Sequence, residues 1–198
     1  ILDTGDLKCW GYGFGNGLTD SLGDSANEIG NNIPKIDLGV GKTAKSVSTF
    51  AGHTCAVLDD YTVKCWGTGA NGKLGLDSTD DKLQPQLVDL TSTVLSETLD
   101  PPSLPPFPPN APPPAMPPFP EMYMPVSNGQ DHTCAIMNDK TLKCWGDGLQ
   151  GQLGYGSSTD DMGDNPGEME QLESVNVGAN RKVVAVSSAT QSTCVILD

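Results

Sequence analysis

The sequence predicts an all-β fold built from tandem units of about four short antiparallel strands, interrupted by a polyproline II segment. Three observations predict it. A stretch with two cysteines ten positions apart occurs twice in full, from His53 to Gly67 and from His132 to Gly146. Each copy is followed, in the same order, by a glycine-rich turn and further short apolar runs. Between the copies, twelve of the twenty residues from Pro101 to Pro120 are proline. Internal repetition sets the architecture first, because a unit of this size must bury its apolar surface on a neighbouring unit.

The repeated stretch reads as a β-hairpin. If Cys55 faces Cys65, then Val57 faces Val63 and Leu58 faces Thr62, leaving a three-residue tip of Asp59, Asp60 and Tyr61, a common hairpin connection. The chain opens with the second half of the same stretch, Ile1 to Gly11, and closes with the first half, Thr193 to Asp198. The opening tip is Asp3-Thr4-Gly5, with glycine where a left-handed residue is wanted. Strand alternation places Cys55, Val57, Val63 and Cys65 on one face and Ala56, Leu58, Thr62 and Lys64 on the other. The second copy puts Cys134, Ile136, Leu142 and Cys144 on the first face. That face is expected to be the buried one. Cysteines opposed on an antiparallel ladder lie within disulfide reach, and the six cysteines are even in number. Cys55–Cys65 and Cys134–Cys144 pairs are therefore expected; the alternative is six reduced cysteines serving as small apolar residues. A zinc site is not expected. Histidine precedes the cysteine by two positions in both full copies, but Ser192 stands there before Cys194, and a ligand set that lapses between repeats makes a poor metal site.

The rest of each unit follows in order. After Gly11 come a glycine-rich loop to Gly17 and an acidic run to Asn32. Ile33 to Leu38 reads as a short strand, and Lys45 to Ser48 as the next, leading into the hairpin. In the second unit the turn is Gly72 to Leu76, the acidic loop 77–81 and the strand Pro85 to Leu90. In the third they are Gly151 to Tyr155, then Ser157 to Asp161, with strands at Leu172 to Val177 and Lys182 to Ser187. Four-stranded units at this period are propeller-blade-like repeats, or turns of a β-solenoid. The aspartates at 77–81 and 159–164 invite a calcium reading, but they lack alternating oxygen ligands closed by a bidentate glutamate. Their common place in each unit favours a structural turn.

One unit is longer than the other. Trp10 to Trp66 spans 56 positions and Trp66 to Trp145 spans 79. The surplus falls between Leu90 and Val126, which align with Leu38 and Val47. It contains Pro101, Pro102, Pro105, Pro106, Pro108, Pro109, Pro112, Pro113, Pro114, Pro117, Pro118 and Pro120. Proline removes a backbone donor and fixes φ, which excludes helix and inner strand. The segment is expected to be a polyproline II rod of roughly 60 Å, the alternative being a loose linker. Leu104, Phe107, Met116 and Phe119 recur within it and are expected to pack on something. The expected organisation is β repeats over 1–100, the proline-rich insertion over 101–120 within a repeat, and β repeats over 121–198.

The formal net charge of −14 argues against binding a nucleic-acid backbone, which needs clustered Lys and Arg. It suits a hydrated surface, or one that meets cations or a basic partner. No stretch is long and apolar enough to cross a membrane, and no signal peptide is visible. The chain lacks an initiator Met and starts and stops inside a unit, so it is expected to be part of something longer. Disulfides place a protein in an oxidising compartment. No Asn-x-Ser/Thr sequence occurs. No nucleophile, base and orienting acid recur together, so no enzyme activity and no cofactor are expected. His53 and His132, being repeat-equivalent, are expected to satisfy turn hydrogen bonds.

The motifs His53-Thr54-Cys55-Ala56, Val63-Lys64-Cys65-Trp66-Gly67 and Gly72-Lys73-Leu74-Gly75, with their counterparts at 132–135, 142–146 and 151–154, resemble the regulator-of-chromosome-condensation family of β-propeller repeats. The resemblance covers nearly the whole chain except 91–125. The cysteine-paired variety looks like the extracellular branch of that family, found in receptor-kinase ectodomains and secreted proteins. The nuclear founder stimulates nucleotide exchange on a small GTPase, but its basic tail and seven blades have no counterpart here. The proline segment resembles, by composition, the hydroxyproline-rich glycoproteins of algal and plant cell walls and of flagellar hairs, which implies hydroxylation and O-glycosylation of its prolines. These resemblances imply a secreted, non-enzymatic structural glycoprotein of an extracellular fibre, cell wall, matrix or flagellar surface. Its partners would be copies of itself or adjacent repeats, together with O-linked glycans. A ligand-binding propeller fragment of a receptor ectodomain is the alternative, and a nucleotide-exchange factor a third.

The two half-hairpins are complementary. Cys194 and Ile196 would supply the positions facing Cys9 and Leu7. They can be satisfied by closure on themselves, by further repeats in the same chain, or head to tail between copies. The last two are favoured, and both expect Cys9 and Cys194 to be bonded outside this span or across a chain boundary.

Overall fold

The computed structural model describes residues 1–11, 17–25, 27–90, 125–156 and 161–198. Among the described residues nine strands form three antiparallel sheets. β1 (Ala44–Phe50), β2 (His53–Leu58), β3 (Val63–Gly67) and β4 (Lys82–Val88) make a four-stranded blade in sequential order. β5 (Val126–Asn128), β6 (His132–Ile136) and β7 (Leu142–Gly146) make the next, and β8 (Val183–Ser188) with β9 (Thr193–Leu197) make a third sheet. No α-helix occurs among the described residues. The fold is therefore all-β and blade-like, as the repeat period predicts.

The hairpins take the expected register. Cys55 pairs with Cys65 and Val57 with Val63, while Cys134 pairs with Cys144 and Ile136 with Leu142. Leu58 N–H donates to the Thr62 carbonyl at 2.9 Å. Ladder pairs alternate, so the cysteines, three steps further along, fall at a closely spaced position without hydrogen bonds. Their Cα atoms are 4.1 Å apart in both hairpins, and disulfides join Cys55 to Cys65 and Cys134 to Cys144. The third tip residue is left-handed in each copy: Gly5 at φ 79°, Tyr61 at 65° and Lys140 at 68°. Tip geometry rather than residue type sets this, because a three-residue loop needs one left-handed residue to match the strand twist.

Burial corrects one expectation. The cysteine face is not the only buried face. Ala56 and Leu58, on the opposite face of β2, are 0% exposed. Blades stack, so each central hairpin has a neighbour on both sides. Cys55, Val57, Val63 and Cys65 pack against Ala135 and Trp145 of the following blade. Ala56, Leu58 and Trp66 pack against Leu7 and Leu38 of the preceding residues. Cys134, Ile136, Leu142 and Cys144 in turn meet Val183, with Val195 and Leu197 packed alongside. One face of each blade is thus the cysteine face and the other the tryptophan face, and each joint brings one of each together.

Two expected strands are extended segments tied by single backbone bonds. Ile36 N–H donates to Leu7 O and Val175 N–H to Leu142 O, both at 2.8 Å. In the second blade the cause is Tyr155. Its hydroxyl accepts from Cys144 N–H at 3.0 Å and lies 2.9 Å from Cys144 O and 3.1 Å from Glu173 O, in reach of both. The hydroxyl thus stands between the two chains where a fourth strand would pair. The first blade has Leu76 at that position, and β4 pairs directly with β3.

The first strands β1, β5 and β8 pack side by side. Residues 91–124 join β4, the last strand of one blade, to β5, the first of the next. The proline segment 101–120 lies outside the described residues, as do Thr159 and Asp160 of the second acidic loop.

Candidate functional site

The joint between blades is where the repeated side chains meet. His53 is 0% exposed and its Nε2 lies 3.1 Å from Thr133 Oγ1 of the following blade. Thr133 Oγ1 donates to the Lys73 carbonyl at 3.0 Å, leaving its lone pairs for the His53 N–H. His132 repeats the arrangement: its Nε2 is 2.9 Å from Thr193 Oγ1, which donates to Gln152 O at 2.9 Å. The histidines therefore bridge blades rather than satisfy turns. His53 and His132 are the first residues of β2 and β6. Burial, with Lys73's charge nearby, pushes the His53 pKa down to about 3, and burial also lowers that of His132. Neutral imidazoles cost less to desolvate than charged ones, and these two hold blades together.

Trp145 completes the joint. It is 0% exposed, packed with Leu74, Val88 and the Cys55–Cys65 face, and its Nε1–H donates to the Lys73 carbonyl at 3.1 Å. A Cβ at Gly75 would stand 2.7 Å from Trp145 Nε1, so glycine is required for the indole to approach. Lys73 itself is nearly buried, its ammonium 2.8 Å from Asp131 Oδ1. The next unit has Gln152 in its place, whose side chain accepts from Gln150 N–H instead, so the ion pair is not part of the repeat.

The other candidates from the sequence are placed as follows. Asp77 accepts the amides of Gly167 and Met169 at 2.8 and 3.0 Å, and Asp81 and Asp161 accept from Gly69 and Gly148. These carboxylates close loops. Among the described residues no three His, Cys, Asp or Glu side chains are grouped to hold a metal ion. Cys9 and Cys194 are free thiols; Cys9 is partly buried, which pushes its pKa up, and Cys194 is exposed. They are not bonded to each other. Among the described residues no helix is long and apolar enough to cross a membrane.

Sequence reasoning passed over three kinds of contributor. Thr133 and Thr193 join the blades, and their signal was present, since threonine precedes the first cysteine of every hairpin. Glu28 and Glu168 cap backbone amides at 23–25 and 163–165, in a recurring Gly-Asp-Ser/Asn-x-x-Glu run at 23–28 and 163–168. Tyr155 has no repeat to betray it.

Comparison with known proteins agrees with this geometry. The family model described as the regulator of chromosome condensation (RCC1) repeat matches residues 126–152. The ultraviolet-B receptor UVR8 of Arabidopsis thaliana is 28% identical over 116 residues, which are 59% of this chain and 20% of that protein. The crystal structure of Prp20p from Saccharomyces cerevisiae, described with its binding to Gsp1p and histones, superposes with a TM-score of 0.65 at 13% identity, over 98% of this chain and 40% of that one. Yeast RCC1 (Prp20) bound by Kap60 gives the same TM-score over 98% of this chain and 38% of that one. The chain spans 20% to 40% of the length of these proteins. With three stacked sheets and a repeated cysteine hairpin, the chain has an all-β, blade-like fold similar to that of these propeller structures, and one stretch of it, residues 126–152, matches the regulator-of-chromosome-condensation repeat.

Proposed function

We propose that the chain is a non-enzymatic, secreted structural glycoprotein, a subunit of an extracellular fibre or matrix in which repeat blades stack and the 101–120 segment forms a glycosylated polyproline rod. The observation that carries this reading is the pair of equivalent cross-strand disulfides, Cys55–Cys65 and Cys134–Cys144. Each lies in a blade face that packs on the next blade, and bonds of this kind persist in oxidising compartments. Twelve prolines in twenty residues support the rod. The test is the intact mass of the protein from its source, before and after glycan release. A mass well above the 20.7 kDa polypeptide, with hydroxyproline mapped to 101–120, is the expected result. Unmodified prolines would remove the glycoprotein reading.

A second reading has its own support. The acidic surface suits a basic protein partner, and Prp20p is described with its binding to histones and Gsp1p. On that reading the blades form a protein-binding module. Saturable capture of a basic protein by a monomeric chain at about physiological ionic strength would favour it over assembly.

A further inference from the structure

We propose that Leu104 and Phe107 of the proline-rich segment seat in the groove between residues 34–37 and β4 of their own chain, holding that segment along the edge of the first blade. This rests on the polyproline rod of the reading above and names the surface that the rod packs on.

The groove holds a cavity of about 190 Å³. Pro34, Lys35, Ile36 and Asp37 wall one side, and Gln84 and Pro85 of β4 the other. β4 is the edge of its sheet: among the described residues it pairs with β3 alone. Its pairing slips by two positions. Cys65 faces Gln86 and Gly67 faces Lys82, so four steps of β4 lie against two of β3, and the extra residues bow the strand away from its partner. Leu83 and Leu87, on either side of the bow, are 37% and 58% exposed. Leu87 pairs with Lys64, whose Nζ would lie 3.6 Å from a Cβ at Gly39. Leu87 therefore stands beside the chain that continues from Asp37, at one end of the groove. Pro85 has no N–H to offer an added strand, so this edge favours the seating of side chains over strand addition.

The spacing of the proline segment supplies the occupant. A polyproline II helix has three residues per turn, and Leu104, Phe107, Met116 and Phe119 are separated by three, nine and three positions. The four large apolar side chains of 101–120 therefore fall on one face of such a rod. Of the twelve prolines only Pro101 and Pro113 share that face, so sugar on the other ten leaves it open. Leu104 and Phe107 are one turn apart, about 9.3 Å, which fits within the roughly 13 Å between Leu83 and Leu87 along β4. Reach selects this pair and this chain. β4 ends at Val88. The sixteen positions from Val88 to Leu104 extend to about 50 Å, whereas β4 is about 23 Å long. The nineteen positions from Phe107 to Val126 extend to about 60 Å, enough to cross the roughly 14 Å from β4 to β1 and enter β5. Such a tether holds the pair near the groove at roughly millimolar effective concentration, which a second copy in dilute solution does not match. Proline carbonyls accept but their nitrogens cannot donate, and Gln84 on the wall carries a side-chain amide that donates to such a carbonyl.

The experiment places the photo-reactive p-benzoylphenylalanine at position 107 of the 198-residue chain, mixes isotope-labelled and unlabelled copies, and maps cross-links by mass spectrometry. The expected products join 107 to residues 34–37 or 83–87 of the same chain, in roughly tenfold higher yield than when the reagent stands at position 119. Mixed-label products, which would put a second copy's segment in the groove, or products spread over other surfaces would each overturn the proposal. A second measurement needs no reagent. Leu104→Ser combined with Phe107→Ser should shift the methyl resonances of Ile36, Leu83 and Leu87 in solution NMR, and unmoved methyls would overturn the proposal as well. Hydroxyproline and sugar mapping on material from the source is read independently of both, so failure of the docking and failure of the glycoprotein reading are separable.

Discussion

Acid should open the first blade joint through His53. The folded value is about 3 and the ordinary value 6.5. Between these limits the unfolded chain binds a proton that the folded chain refuses, so stability is complete above about pH 6.5 and falls as pH drops toward 3. Integrated from about pH 8 to about pH 4.5, this one group removes about 3 kcal/mol. That corresponds to a fall in Tm of roughly 6–12 °C for a domain of this size. The cause is local. A charged imidazole would have to stay desolvated at β2, facing the Lys73 ammonium from the loop after β3, with Asp131 already paired to Lys73 and the neutral His132 beyond. Carboxylates such as Asp60, held at about 2 by Lys42 and Thr62, also weaken in acid, so the measurement must isolate the histidine. His53→Gln keeps a donor that can reach Thr133 but has no proton to gain. Urea unfolding of both proteins across this pH range, without reductant, gives the difference. The stability gap between wild type and His53→Gln should narrow, or reverse, by about 3 kcal/mol on acidification. A gap that stays constant with pH would refute the buried neutral histidine.

Replacing Cys55 and Cys65 together by alanine should cost about 3 kcal/mol through the freed unfolded chain, read as a lowered urea midpoint, and equal stability would mean that the hairpin does not need its bridge. Asp131→Asn should destabilise by about 2–3 kcal/mol, because it strands the buried Lys73 ammonium, whereas Lys73→Gln, the residue found at 152, should cost less than about 1 kcal/mol. Thermal unfolding of both variants orders them, and a larger cost for Lys73→Gln would contradict the pairing. Lys140→Gly should raise stability by about 0.5–1 kcal/mol by relieving a left-handed lysine at φ 68°; a loss would mean that the tip does not need that conformation.

Much of this was legible in the chain. Cysteines ten apart, flanked by alternating apolar residues, determined the hairpin register, because a ladder with period two admits no other pairing that keeps Val57 beside Val63 and Cys55 beside Cys65. Repetition of the whole unit determined that blades recur. The histidine positions could not say what His53 touches, since its partner Thr133 is 80 positions away. Only stacking decided the rest. A single hairpin shows one apolar cysteine face; that Ala56, Leu58 and Trp66 are equally buried follows from a second neighbour, which strand alternation cannot encode. The three tryptophans share a Lys-Cys-Trp-Gly context, yet Trp66 and Trp145 are enclosed and Trp10 is exposed, so the motif alone does not set burial. Tyr155 differs from Leu76 by one hydroxyl and one ring, and only the three-dimensional position of that hydroxyl, between Cys144 and Glu173, decided that the second blade carries three paired strands where the first carries four.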